Sequence, residues 1–265
     1  MIEATKNAKR FKGFAETYDS ARPSVPFYPV KIIKRYLGKQ PDKVIDMGCG
    51  TGLSTIIWKD NCSKVFGIEP SDDMRKVAKT RESDKISFIK AFSHNTGIED
   101  NFADVVVCSQ SFHWMEPKST LKEIDRILKK DGIFATIDCD WPPVSDWKIE
   151  KTYTDIFAKV KRIENDYPEL KDKFISYDKT NHLTNIKSSG YFSYCREILF
   201  SNTEKATGER LINLFLSQGG LQSILNTKPE LITKDIEFFR KEVFNTFEDS
   251  EFEIEFCYRM RIGVK

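Results

Sequence analysis

Short apolar runs alternate with segments of helical periodicity along the first half of the chain. The runs predict buried strands that begin at Val44 and recur at residues 64–69, 86–91, 104–108 and 133–138. The periodic segments predict helices at residues 27–37 and 117–130, and after the N-cap residue Ser71. Strands that alternate with helices form a parallel sheet covered on both faces, so the pattern predicts a doubly wound α/β fold.

The last third of the chain predicts a different kind of strand. Residues 194–201 predict a sixth strand and residues 207–226 a helical stretch broken at Gly219 and Gly220. A long amphipathic helix follows, whose apolar face is formed by Ile232, Ile236, Phe239, Val243 and Phe247. Residues 252–264 alternate between apolar and polar side chains, which is typical of an antiparallel strand with one solvated face.

Residues 140–191 interrupt the alternation of strands and helices. The segment opens with Trp141 and two prolines, is rich in Trp, Tyr, Lys and Asp, and contains no strand pattern. We predict a mostly helical insertion that covers a pocket and selects the substrate; the alternative is a solvated decoration without function. Residues 1–265 are predicted to form one domain that contains this insertion.

Composition excludes some classes of function. The 42 Lys and Arg nearly balance the 40 Asp and Glu, so the net charge of +2 does not by itself recruit nucleic acid or a membrane surface. The six cysteines and three histidines are too dispersed to predict a metal site. No segment approaches the length of a membrane span, and no apolar leader is present at the N-terminus. We expect a reduced, cytoplasmic, soluble protein.

The richest chemical signal is the segment V-I-D-M-G-C-G-T-G-L-S-T at residues 44–55. Its glycines, Gly48, Gly50 and Gly52, let backbone approach a ligand without side-chain obstruction. Leu53, Ile56 and Ile57 follow with helical spacing. A strand, a glycine turn and a helix N-terminus together predict a pocket of unpaired N–H groups that binds a nucleotide-like ligand.

Two acids define that ligand further. Asp46 lies two residues before the first glycine, at the mouth of the turn, where a dinucleotide places its pyrophosphate. Two like charges about 4 Å apart repel by roughly 4 kcal/mol at an effective dielectric near 20. The same carboxylate attracts a sulfonium, so its sign argues against NAD. Glu69 ends the second strand 19 positions after Gly50, the spacing of an acid that holds ribose hydroxyls.

Together, D-x-G-x-G-x-G and Glu69 resemble the class I S-adenosylmethionine-dependent methyltransferases. The resemblance covers most of the chain and implies a Rossmann-like seven-stranded sheet of order 3-2-1-4-5-7-6, with an antiparallel last strand. Residues 103–114, A-D-V-V-V-C-S-Q-S-F-H-W, are similar to the fourth motif of trans-aconitate-type small-molecule methyltransferases. The pattern F-x-x-x-A-x-x-Y-D-x-x-R-P at residues 11–23 resembles their N-terminal lid segment.

The resemblance implies S-adenosylmethionine as the cofactor and a set of residues around it. The candidates are Tyr18, Arg22, Asp46, Gly48, Cys49, Gly50, Glu69, Pro70, Met74, Ala91, Phe92, Ser93, Ser109, Gln110, His113 and Trp114. The family places an acidic or polar residue near Ser93 to contact the adenine amino group. This chain has A-F-S-H there, so backbone or Ser93 is expected to make that contact.

Several of these assignments have structural alternatives. Met74 is either an adenine or ribose contact or simply a core residue. Tyr18 and Arg22 either cap the cofactor end of the pocket or belong to a packing element over the sheet edge. His113 is either a general base or a residue that shapes the pocket beside Trp114.

These patterns predict a methyltransferase that acts on a small molecule, with no metal and no nucleic-acid or membrane partner. Methyl transfer from a sulfonium requires chiefly alignment and exclusion of water. A carboxylic acid is one candidate acceptor, which Arg22 could pair with; a hydroxyl or amine acceptor calls for a base, for which His113 is the candidate. The alternatives are a protein that binds S-adenosylmethionine without transferring methyl and an NAD-dependent oxidoreductase.

Overall fold

The computed structural model describes residues 23–170 and 175–265, and those residues form a seven-stranded sheet. The strands are β1 (Lys43–Met47), β2 (Lys64–Ile68), β3 (Ile86–Ile89), β4 (Ala103–Ser109), β5 (Leu128–Cys139), β6 (Tyr194–Ala206) and β7 (Phe252–Val264). Their order across the sheet is β3-β2-β1-β4-β5-β7-β6. Neighbours from β3 through β5 pair in parallel, whereas β7 runs antiparallel to both β5 and β6. The predicted fold class, strand order and reversed last strand are confirmed.

Helices in the described part of the chain flank the sheet. They are α1 (Tyr28–Leu37), α2 (Asp72–Lys79), α3 (Pro117–Ile127), α4 (Trp147–Asp166), α5 (His182–Ser188), α6 (Gly208–Leu216), α7 (Gly219–Thr227) and α8 (Thr233–Phe247). Since side chains alternate across a strand, Val44 packs in one core cluster and Ile45 in the other. Each of these helices is too short or too polar to cross a lipid bilayer.

Several boundaries differ from the sequence-based prediction, among them the strands predicted at 86–91, 133–138 and 194–201, which span Ile86–Ile89, Leu128–Cys139 and Tyr194–Ala206. The residues after the glycine turn form only a single 3-10 turn at Ile56–Trp58, because hydrogen bonds from Ser54 and Thr55 to Asp46 hold this segment against the end of β1. Helix α3 ends at Ile127 rather than residue 130, since Leu128 already pairs with Ala103 as the first residue of β5.

The inserted segment is mostly helical, as predicted, but its long helix packs away from the sheet ends. The buried face of α4 includes Ile149, Tyr153 and Val160, which belong to the same core cluster as buried residues of α7 and α8. Trp141 comes before that helix, and Ile175 and Tyr177 come after it. These flanking residues, rather than the helix, reach the cavity described next.

Candidate active site

A cavity of about 650 Å³ lies at the carboxyl ends of the parallel strands, the edge where open α/β sheets bind ligands. The glycine turn, the ends of β2, β4 and β5, and residues 23–26 form its walls. The predicted site residues that line it are Gly48, Cys49, Gly50, Glu69, Pro70, Met74, Ala91, Phe92, Ser93, Ser109, Gln110 and Trp114. Tyr18 and Arg22 lie outside the described residues.

The glycine turn approaches its surroundings too closely for a side chain at Gly48 and at Gly52, where a Cβ would lie 2.9 Å from Phe88 Cζ. Gly48 has φ +72°, and a Cβ there would lie 2.6 Å from Met115 Cε and 2.7 Å from Ser111 Cβ. Gly50 has φ +57°, yet nothing lies within 4 Å of its would-be Cβ. Gly48 is therefore required by both contact and backbone conformation, and Gly50 by backbone conformation alone.

Glu69 joins the glycine turn to the start of α2. Its Oε2 accepts a hydrogen bond from the Gly50 N–H at 3.0 Å, and its Oε1 accepts one from the Ser71 N–H at 2.7 Å. Burial outweighs these bonds and raises the pKa of Glu69 to about 7. The carboxylate is thus a hydrogen-bond acceptor in the cavity wall whose charge changes near neutral pH.

Asp46 lies beneath the glycine turn, not at its mouth as the sequence indicated. The residue is fully buried on β1 and does not line the cavity. Its Oδ2 accepts hydrogen bonds from Ser54 Oγ at 2.6 Å and Thr55 Oγ1 at 2.7 Å. Burial raises the pKa of Asp46 to about 6, against the effect of the two hydroxyls. The charge of Asp46 can therefore act on the cavity only through space. The residue comes two positions before Gly48 in the chain.

His113 lies behind the cavity wall. The residue is 8% exposed, and its Nδ1 is 3.8 Å from Asp138 Oδ1. Its carbonyl oxygen accepts a hydrogen bond from the Tyr177 N–H at 2.8 Å. This geometry supports the reading of His113 as a pocket-shaping residue, since its backbone holds an inserted residue that does line the cavity.

A buried ionic cluster, formed by Asp138, Lys179, His182, Glu197 and Arg261, stands behind the β5 end of the cavity. Asp138 Oδ2 lies 2.9 Å from Arg261 Nη1 and 3.1 Å from His182 Nδ1. Arg261 also bonds Glu197 at 2.8 Å, and Lys179 Nζ lies 3.4 Å from Asp138 Oδ1. Burial alone would raise the pKa of Asp138, but the His182 hydrogen bond and the charge of Lys179 lower it to about 2.

Lys179 extends this cluster to the cavity wall. Its Nζ donates to Gln110 Oε1 at 3.0 Å, and Gln110 lines the cavity at the end of β4. Gln110 holds an unusual left-handed backbone conformation, φ +53°, and its N–H bonds the Ile137 carbonyl at 2.8 Å. Because an ammonium only donates, the contact fixes the amide oxygen towards Lys179 and leaves the amide NH₂ for another partner.

The wall residues that sequence reasoning missed come mainly from segments far apart in the chain. They include residues 23–26, Ser111, Met115, Glu116, Trp141, Ile175, Tyr177 and Tyr258. Trp141 belongs to the W-P-P sequence that opens the insertion. This sequence is conspicuous, but it does not indicate that the tryptophan lines the cavity. Tyr258 belongs to the last strand, whose side chains alternate between apolar and polar. This alternation shows which residues face the core, but it does not show which of them line a cavity.

Comparison with known proteins identifies the central part of the chain. Residues 45–136 match a family described as methyltransferase domain. A probable S-adenosylmethionine-dependent methyltransferase of Saccharomyces cerevisiae is 30% identical over 124 residues, 44% of this chain and 43% of that protein. A ubiquinone/menaquinone biosynthesis C-methyltransferase of Campylobacter jejuni is 30% identical over 154 residues, 52% of this chain and 65% of the relative. The chain thus spans less than two thirds of either relative.

Solved structures share the fold at low sequence identity. A putative type II methyltransferase from Anaeromyxobacter dehalogenans has a TM-score of 0.68 at 13% identity, covering 92% of this chain and 97% of that one. A putative methyltransferase from Bacillus halodurans has a TM-score of 0.54 at 15% identity, covering 90% and 99% of the two chains. At such identities the similarity establishes a common architecture.

Proposed function

We propose that the chain is a class I S-adenosylmethionine-dependent methyltransferase, which transfers the methyl group of that cofactor to a small-molecule acceptor. The observation that carries the proposal is the hydrogen bond from the Gly50 N–H to the Glu69 carboxylate. The glycine turn allows close approach of backbone to a ligand, and the Glu69 carboxylate beside it can accept hydrogen bonds from ribose hydroxyls.

The charge of the cavity supports the sulfonium cofactor over a dinucleotide. Among the described wall residues the side chains with a carboxyl group are Glu69 and Glu116, and Asp46 lies beneath the turn. Carboxylates attract a sulfonium and repel a pyrophosphate. The residues proposed to hold the cofactor are therefore Gly48, Cys49, Gly50, Glu69, Pro70, Met74, Ala91, Phe92 and Ser93, with Ser109, Gln110 and Trp114 where the acceptor is approached.

When bound, S-adenosylmethionine supplies an electrophilic methyl group. The methyl group would pass to a lone pair of the acceptor, and S-adenosylhomocysteine would leave with the electron pair of the carbon–sulfur bond. The walls of the cavity align the two molecules and exclude competing water. A carboxylic acid acceptor would need a cation to pair with, and the candidate, Arg22, lies outside the described residues. The carboxyl groups of Glu69 and Glu116 in the cavity wall do not favour such an acceptor.

Calorimetry on the purified protein tests this proposal. We expect S-adenosylmethionine and its demethylated product S-adenosylhomocysteine to bind, and NADH to give no heat of binding. Incubation with methyl-labelled S-adenosylmethionine and a panel of phenols, amines and carboxylic acids is expected to transfer label to at least one compound. Binding of NADH without binding of S-adenosylhomocysteine would overturn the assignment; binding of the cofactor without any transfer would favour a sensor.

A further inference from the structure

Aromatic rings from four separate segments line the cavity. Trp114 follows β4, Trp141 follows β5, Tyr177 belongs to the insertion and Tyr258 to β7. In the sheet order β5 and β7 lie beyond β4 from the glycine turn and Glu69 on β1 and β2, whereas the turn that carries Trp114 packs beside Gly48. We call these four residues the aromatic wall, which runs from the β4 turn to the β7 side of the cavity.

Packing behind the wall fixes the orientation of two of its rings, Trp141 and Tyr258. Trp141 meets Phe256 edge-on, with ring centroids 6.2 Å apart at an angle of 74°. Tyr258 stacks on Phe200 at 5.2 Å and 7°. Rings held in this way offer preformed flat surfaces, on which flat unsaturated ligands stack with little loss of conformational entropy.

Two classes of ligand suit aromatic faces: flat rings and cations. Lys179 distinguishes them, because its ammonium lies 3.0 Å from Gln110 Oε1 at the boundary of the wall. This ammonium disfavours a cationic group on the part of the ligand that lies at Gln110. It also polarises the Gln110 amide, so that the remaining NH₂ is a stronger donor, which suits a hydroxyl or carbonyl oxygen on the ligand.

We propose that the methyl acceptor is a flat, uncharged aromatic molecule that bears an oxygen, stacked on Trp114, Trp141 and Tyr177 with its oxygen bonded to the Gln110 NH₂. The proposal rests on the proposed function, because it names the acceptor of the same site. Gln110 is the residue that orients this acceptor, and Lys179 is a positioning residue that acts through it.

Four matched probes test the acceptor class by calorimetry on protein saturated with S-adenosylhomocysteine. They are 1-naphthol, its non-planar analogue decahydro-1-naphthol, the anion 1-naphthoate and the cation 1-naphthylmethylammonium. We expect 1-naphthol to bind about tenfold more tightly than each of the others. Equal or tighter binding of any of the three would overturn the inference. If S-adenosylhomocysteine itself did not bind, the proposed function would fail instead.

A pair of tryptophan variants locates the probe. Trp141→Leu is expected to weaken 1-naphthol binding about tenfold while the affinity for S-adenosylhomocysteine changes by less than about twofold. Retained cofactor-product affinity also reports that the variant is folded. The matched control is Trp147→Leu, since Trp147 is 69% exposed on α4 and does not line the cavity. Unchanged 1-naphthol binding by Trp141→Leu, or an equal loss in the control, would contradict the proposal.

Discussion

The acids on the two sides of the cavity have pKa values that are shifted in opposite directions. On the cofactor side, Asp46 and Glu69 have pKa values raised by burial to about 6 and about 7, and neither forms an ion pair with a described residue. On the acceptor side, Asp138 is surrounded by Arg261, His182 and Lys179, and its pKa is lowered to about 2. One side therefore has acids without an ion pair in the described part of the chain, whose ionised forms a cationic ligand can stabilise, whereas on the other side the charge of Asp138 is compensated by its neighbours.

The sides also differ in which atoms form them. The cofactor side is centred on the main chain of the glycine turn, so its geometry depends on φ angles and on the absence of side chains at the glycines. The acceptor side presents side chains from β4, β5, β7 and the insertion, held in place by the ionic cluster behind them. Damage to the first side should abolish cofactor binding, whereas damage to the second should alter acceptor binding and leave the cofactor in place.

The largest expected effect comes from Gly48→Ala, which breaks the cofactor side. The added Cβ meets Ser111 Cβ at 2.7 Å as well as Met115, so the turn or β4's extension must shift. Overpacking of this kind costs about 1–3 kcal/mol. Calorimetry should therefore show S-adenosylhomocysteine binding weakened at least about tenfold more by Gly48→Ala than by Gly50→Ala.

The two glycine variants control for each other. Both introduce Ala at a positive φ, so both carry the same kind of backbone strain, roughly 1 kcal/mol. Gly50→Ala lacks the steric contact, because nothing lies within 4 Å of its Cβ. Equal losses in both would mean that backbone strain, and not the close approach to Ser111, makes glycine necessary in this turn.

Sequence reasoning captured the cofactor side because its determinants are local. All of them lie within residues 44–69: a strand that runs into a turn, three glycines, and an acid at a fixed spacing from them. Most of the predicted residues in this segment line the cavity. The exception is Asp46, whose direction depends on the pleat of β1 and on bonds from Ser54 and Thr55. Spacing alone does not report whether a strand residue points into the cavity or below it.

The acceptor side escaped prediction because its determinants are distant in sequence. Arg261 occupies a position in the alternating last strand that predicts solvent exposure, yet it is 3% exposed, since β7 is covered on both sides near its pairing with Asp138 and Glu197. Lys179 is one of many lysines, and only the fold brings it to Gln110. Composition could indicate an aromatic insertion but not which rings face the cavity.

A smaller effect is expected from Lys179→Met, which breaks the acceptor side. Without the ammonium, the Gln110 amide is free to rotate and loses its polarisation, so 1-naphthol binding should weaken about fivefold. Arg261 still pairs with Asp138 and His182 remains within hydrogen-bond distance of it, so the affinity for S-adenosylhomocysteine should stay within about twofold of the wild-type value. Titration calorimetry measures both quantities.

Two further variants separate positioning from general structure. Lys187→Met removes another lysine of the insertion, in the last turn of α5, and should change neither affinity. Lys179→Arg keeps a pure donor at the same place and should restore most of the 1-naphthol binding. Parallel loss of probe and cofactor-product binding in Lys179→Met would show that Lys179 supports the fold rather than Gln110.

The smallest expected effect tests the charge difference between the two sides. S-adenosylmethionine and S-adenosylhomocysteine share every group except the methylated, positively charged sulfur, so the ratio of their affinities isolates the response to that charge. Asp46 and Glu69, with pKa values of about 6 and about 7, are largely protonated at pH 5 and ionised above pH 8. The ionised forms favour the cation, so the preference for S-adenosylmethionine should rise roughly fivefold from pH 5 to pH 8. Because Asp138 stays ionised throughout this range, its charge should contribute nothing to the change. Calorimetry at four pH values measures the ratio, and Asp46→Asn should reduce its slope. A constant ratio in the wild type would mean that the buried acids serve the fold of the turn and not the recognition of the sulfonium.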